Sequence, residues 1–126
     1  MFKKNSERNG YTGFNEFQYV DKSNDDIFNY LKIEHFKANS IYIEASTIDE
    51  EIFLKEYNKL LKFGCKSEIV FENGEFATNL NYYYDVSETN KIISQLESGE
   101  YSDSRTLINW LKIAVKDYNG FYYLSV

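Results

Sequence analysis

The sequence predicts an α+β fold: a small mixed β-sheet with a β-hairpin and three to four packed helices, in a single domain. Three observations carry that prediction. Thr47 and Glu50 form a capping box ahead of an amphipathic run. Asn73-Gly74 sits between two β-type runs, a strong short-range hairpin signal. Residues 102–118 carry another apolar stripe at helical spacing.

Taken in order, residues 1–13 hold Asn5, Ser6, Asn9, Gly10 and Gly13, and read as an irregular, mobile start. Phe14, Phe17 and Tyr19 read as a short edge strand. Ser23-Asn24-Asp25-Asp26 resembles a helix start, with Ile27, Phe28, Leu31 and Phe36 as a loose stripe. The alternation of Leu31-Lys32-Ile33-Glu34-His35 leaves a strand as the alternative. Ser40 to Ala45 is a strand with Ile41 and Ile43 on one face and Tyr42 and Glu44 on the other.

The capped helix that follows carries Ile52, Phe53, Tyr57, Leu60 and Leu61, and Gly64 closes it. A strand–helix–strand unit over 40–72 predicts a right-handed parallel crossover. A two-residue turn at Asn73-Gly74 then sets Glu72 opposite Glu75 and Glu68 opposite Asn79. Ser87 reads as the cap of a helix bearing Ile92, Ile93 and Leu96, closed by Gly99. Ser102 to Tyr118 is the last helix, Asn119-Gly120 breaks it, and Phe121 to Val126 is a final strand.

One domain fits a chain of 126 residues with 43% hydrophobic and 27% charged residues. The single cysteine excludes an internal disulfide, and no apolar leader follows Lys3 and Lys4, so a bacterial cytoplasmic setting is expected. No stretch is apolar enough to span a membrane. A net charge of −6 repels phosphate backbones, disfavours nucleic acid and favours a basic partner.

No catalytic constellation is visible. His35 and Cys65 are single residues of their kind and read as structural. Asp21 to Asp26 imitates a calcium loop, but Asp26 stands where the turn needs glycine and Lys32 where it needs glutamate. No phosphate-binding, dinucleotide or zinc-protease motif occurs. The expectation is a non-enzyme without cofactor or metal.

Charge placement says more. Residues 63–104 hold two lysines against eight acids, net −6, equal to the imbalance of the whole chain. Like charges opposite one another in a hairpin cost about a few tenths of a kcal/mol, which a docking face for a basic partner would relieve. Charged strands that deter edge-to-edge pairing give the same pattern without function. Tyr82-Tyr83-Tyr84 must alternate between faces, so one of the three points away from the core, a suitable interface anchor. The expected partner interface is Glu68, Glu72, Glu75, Tyr83, Asp85 and Glu88.

In general character, through the acidic 63–104 block, the Glu68/Glu72/Glu75 face and the Tyr82-Tyr83-Tyr84 run, the chain resembles the immunity proteins of contact-dependent growth inhibition and related polymorphic toxin systems. That resemblance implies a protein-binding inhibitor of a basic, nuclease-type toxin domain. The sequence leaves two other classes open: a small enzyme or ligand-binding domain with a pocket between sheet and helices, and a structural subunit whose acidity only serves solubility.

Overall fold

The computed structural model describes residues 1–8, 10, 13–27, 33–34, 36–44, 47–64, 67–69 and 81–125, with backbone only at 58–59, 62–64, 67–69, 81 and 125. The strands are β1 (Lys3–Lys4), β2 (Phe14–Tyr19), β3 (Ile41–Glu44), β4 (Ser67–Ile69), β5 (Asn81–Tyr84) and β6 (Phe121–Ser125). The helices are α1 (Ile48–Gly64), α2 (Val86–Ser98) and α3 (Ser104–Lys116), and a 3-10 turn spans Asn5–Glu7. The α+β class is therefore as expected.

The sheet order is β1-β3-β2-β6-β5-β4, and every pairing is antiparallel. This corrects the expected mixed sheet. Three strands separate β3 from β4, so α1 crosses the sheet between non-adjacent strands, and no parallel pair forms among the described residues. The reason is that β2 and β6 pair over five residues in the centre and displace β4 to the rim.

The edge assignment for residues 14–19 is corrected for the same reason. β2 lies between β3 and β6, and all six of its residues are buried. The N-terminal expectation is corrected too. Phe2 is buried in the core with its ring edge-on to Phe17 and Tyr57, and the Met1 amine meets Asp103 at 3.4 Å. Residues 23–27 form turns rather than a helix start, with Asn24 Oδ1 accepting from Asp26 N at 3.1 Å. Residues 28–32 lie outside the described residues.

The helices follow their signals. Thr47 Oγ1 accepts from Glu50 N at 3.3 Å, and α1 buries Phe53, Tyr57, Leu60 and Leu61 at helical spacing. The cap of α2 is Asp85, not Ser87: its Oδ1 accepts from Glu88 N at 2.8 Å. α2 buries Ile92, Ile93 and Leu96, and α3 buries Leu107, Ile108, Trp110, Leu111 and Ala114. These stripes meet Phe17, Ile41, Ile43, Tyr84 and Phe121 from the sheet, forming the main core.

Gly120 joins α3 to β6 with φ of +84°, and a Cβ there would stand 2.0 Å from the Tyr84 carbonyl oxygen. Only glycine fits both the left-handed backbone and that approach.

The other face of the sheet is covered as well. Val20, Tyr83, Tyr122 and Leu124 form a second cluster, against which Ile27 and Ile33 pack. Tyr122 Oη donates to Ile27 O at 2.6 Å, tying the 21–27 turn to β6.

Candidate functional site

Of the expected interface residues, Tyr83, Asp85 and Glu88 have described side chains. Glu72 and Glu75 lie outside the described residues, and Glu68 is described only as backbone in β4. That backbone pairs Ser67 with Tyr83, Glu68 with Tyr82 and Ile69 with Asn81. The register is offset by three residues from the one a two-residue turn at Asn73-Gly74 imposes, so Glu68 faces Tyr82 rather than Asn79. The Asn73-Gly74 turn itself lies outside the described residues.

Tyr83 is 5% exposed, which corrects its reading as an exposed anchor. The alternation is as expected: Tyr82 and Tyr84 meet the helix-side core and Tyr83 the opposite cluster. Ile27 and Ile33 pack over that opposite face, and the Tyr83 hydroxyl donates to Asn119 O at 2.9 Å. Burial, with Asp85 and Glu88 nearby, raises the phenol to about 12. Tyr83, Asp85 and Glu88 thus neighbour one another at the start of α2. Asp85 and Glu88 are half-buried, and Asp85 serves as the cap.

The concave surface lies elsewhere, at the end of the sheet where β2 and β3 meet α3. Tyr19 is sandwiched between Trp110 (ring centroids 4.0 Å, 9° between planes) and Tyr118 (4.4 Å, 5°). Its hydroxyl donates to Trp110 O at 3.0 Å, and Trp110 Nε1 donates to Asn39 O at 2.8 Å. The polar ends of Tyr19 and Trp110 are therefore anchored to backbone, which stiffens this wall. Two concavities open beside it, of about 700 and 410 Å³. They share Tyr19, Ala38, Asn39, Ser40 and Tyr118.

Behind the smaller one lies a buried carboxylate. Glu16 is 0% exposed. It accepts from Phe36 N at 2.7 Å and from Gln18 Nε2 at 3.1 Å. Phe36 adopts φ of +62°, a left-handed conformation costly for a side-chain-bearing residue, and this turns its N–H onto the carboxylate. Arg8 stacks on the Phe36 ring at 4.3 Å, and Phe14 and Tyr42 pack against it. Desolvation raises the Glu16 carboxyl to about 7, partly opposed by the Phe36 and Gln18 hydrogen bonds and by Lys37.

No charge pattern in the sequence marked this cluster. The available signal was Glu16 and Gln18 alternating with Asn15, Phe17 and Tyr19 in a strand too aromatic to lie in solvent.

Among the described residues no group of three or more His, Cys, Asp or Glu is placed to hold a metal ion. His35 and Cys65 lie outside them. No described helix is long and apolar enough to cross a membrane. Comparison with protein-family models, with curated proteins and with solved structures finds no match to this chain.

Proposed function

We propose that the chain is a protein-binding inhibitor of the immunity-protein type, neutralising a cognate basic, nuclease-type toxin domain in the bacterial cytoplasm. The observation that carries this reading is the concentration of charge: residues 63–104 hold net −6, the equivalent of the whole imbalance. Glu97, Glu100 and Asp103 from that block are exposed along the end of α2 and the approach to α3. An acidic surface of this kind speeds encounter with a basic protein and makes it salt-sensitive. The reading uses no cofactor, metal or catalytic group of the chain, and its charge opposes nucleic acid and anionic membrane as partners.

The test is calorimetric titration against the basic C-terminal domain of a secreted protein encoded beside this chain. The expected result is tight association that weakens steeply with salt, and weakens at least about tenfold in the E68K/E72K/E75K variant at low salt. Thermal stability of the variant should stay within about 0.5 kcal/mol. Unchanged affinity at low salt would remove the 68–75 face from the interface and move the contact to Asp85, Glu88 and Glu97. Absence of any complex, or salt-independent affinity, would sink the reading.

One observation favours a second reading as a small enzyme or ligand-binding domain: the paired concavities beside the Tyr19 stack. Turnover abolished by a folded His35→Ala or Cys65→Ser variant would establish it.

A further inference from the structure

The geometry points to the concavity between Gln18, Asp21, Glu34 and Tyr118 as a receptor for an arginine side chain of the basic partner. This rests on the protein-binding reading above and names the chemistry of one contact within it.

Gln18 sets the requirement. It lines the concavity and is 1% exposed. Its Nε2 donates to two acceptors, Glu16 Oε1 at 3.1 Å and the Glu34 carbonyl. Two acceptors around one end of an amide fix its orientation, because the reverse would set oxygen against oxygen. Oε1 is thereby held as the free end, and it has no donor among the described residues. A buried acceptor without a partner costs on the order of 1–3 kcal/mol, so a ligand that supplies an N–H gains the difference. Ser40, 2% exposed, also lines the site, and its Oγ makes no hydrogen bond of ordinary length among the described residues, although it is close enough to Glu16 to help hold the charge.

Charge selects a cation. Asp21 and Glu34 stand at the rim, both exposed. Lys37 is the opposing charge, and its attraction is directed at Glu16 behind the floor. The floor thus asks for a donor and the rim for positive charge.

Shape separates arginine from lysine. A guanidinium presents five N–H groups in a plane, enough for Gln18 Oε1 and a rim carboxylate together, and it stacks on aromatic rings. Tyr118, fixed against Tyr19, supplies such a ring at the wall. An ammonium would meet the charge but not the plane. Among the described residues, the groups facing Glu16 include Gln18 on its own strand, Phe36 N, Lys37 and Ser40 from the stretch before β3, and Tyr42 from β3. A cation at the floor adds to Lys37 and favours the ionised carboxylate, so arginine binding should strengthen as pH rises through 7.

The experiment is an NMR titration of the full chain with N-acetyl-arginine-amide, alongside the lysine and the uncharged citrulline analogues. The expected result is an affinity on the order of millimolar. Shifts should centre on the Gln18 side-chain amide, Ser40 and Tyr118. The lysine analogue should bind roughly tenfold more weakly, and the citrulline analogue not measurably. Asp21→Asn, an exposed change that leaves packing intact, should weaken arginine binding several-fold. Gln18→Leu should abolish it, with a thermal melt to confirm folding. Equal binding of citrulline, shifts elsewhere, or no shift at tens of millimolar would overturn the assignment. A basic domain that binds in a salt-sensitive way, with affinity unchanged by Asp21→Asn, would overturn the pocket while leaving the protein-binding reading intact. A chain that binds the arginine analogue but no basic domain would do the reverse.

Discussion

Strand β2 presents two buried faces built on opposite principles. Toward the helices, Phe17 and Tyr19 enter a dense aromatic core in which Phe17 touches Phe2, Phe53, Trp110, Phe121 and Tyr123. Toward the covering segment, Glu16 and Gln18 are as deeply buried, yet they meet backbone N–H and C=O groups, a lysine and a serine. The helix face is stabilised by area removed from water, a term that does not respond to pH. The opposite face depends on polar satisfaction, and it keeps an ionisable group and, in Gln18 Oε1, an acceptor with no donor among the described residues. Burial alone therefore does not mark a surface as core: the chemistry of the partners separates a face that only holds the fold from one that can also respond to a ligand.

The largest expected effect tests the helix face. Phe17→Ala should cost about 3–5 kcal/mol at any pH, read by urea melts, because the site is fully enclosed by rings that cannot all collapse into the space. Gly120→Ala should cost about 3 kcal/mol, through a left-handed backbone and a contact with Tyr84 O that must be opened. Tyr84 and Gly120 belong to the frame between the two faces, so this loss should also be independent of pH.

Glu16 tests the other face. Its folded pKa of about 7 lies above the unfolded value of 4.5, so between those values the native state binds more protons than the unfolded chain. Its contribution to stability is fully present below about 4.5 and is lost as pH rises to about 7, by about 3 kcal/mol at most. Glu16→Gln keeps an acceptor for Phe36 N and removes the charge. The variant should gain on wild type between pH 5 and pH 8, and melts at those two values measure it. An equal pH response in both proteins would contradict the buried, shifted carboxyl.

Two smaller effects set the scale. Asp85→Ala should cost about 1 kcal/mol as a lost helix cap. Glu97→Gln removes an exposed pair with Lys112 at 3.0 Å and should change stability by less than about 0.5 kcal/mol, with thermal melts resolving the two variants.

The helix face was largely legible in the sequence. Thr47 and Glu50, the Ile92/Ile93/Leu96 spacing and the Leu107-to-Tyr118 stripe place three helices through local rules of capping and period. Ile41, Tyr42 and Ile43 alternate as they do in β3. The opposite face was not legible, because a strand buried on both sides has no polar alternation to follow, and Glu16 and Gln18 imitate solvent positions. Tyr83 was misread for the same reason: its face is covered by residues distant in sequence, Ile27 and Ile33. Strand order was invisible because β2 pairs with β6 about a hundred residues away, a contact that no local pattern reports.

The most direct test of this asymmetry is a carbon-detected NMR titration of the Glu16 carboxyl, assigned by comparison with Glu16→Gln. The expected midpoint is near 7, with the Phe36 amide shifting at the same pH. A Glu16 midpoint in the ordinary carboxylate range, near 4.5, would contradict it and show this face of β2 to be open to water.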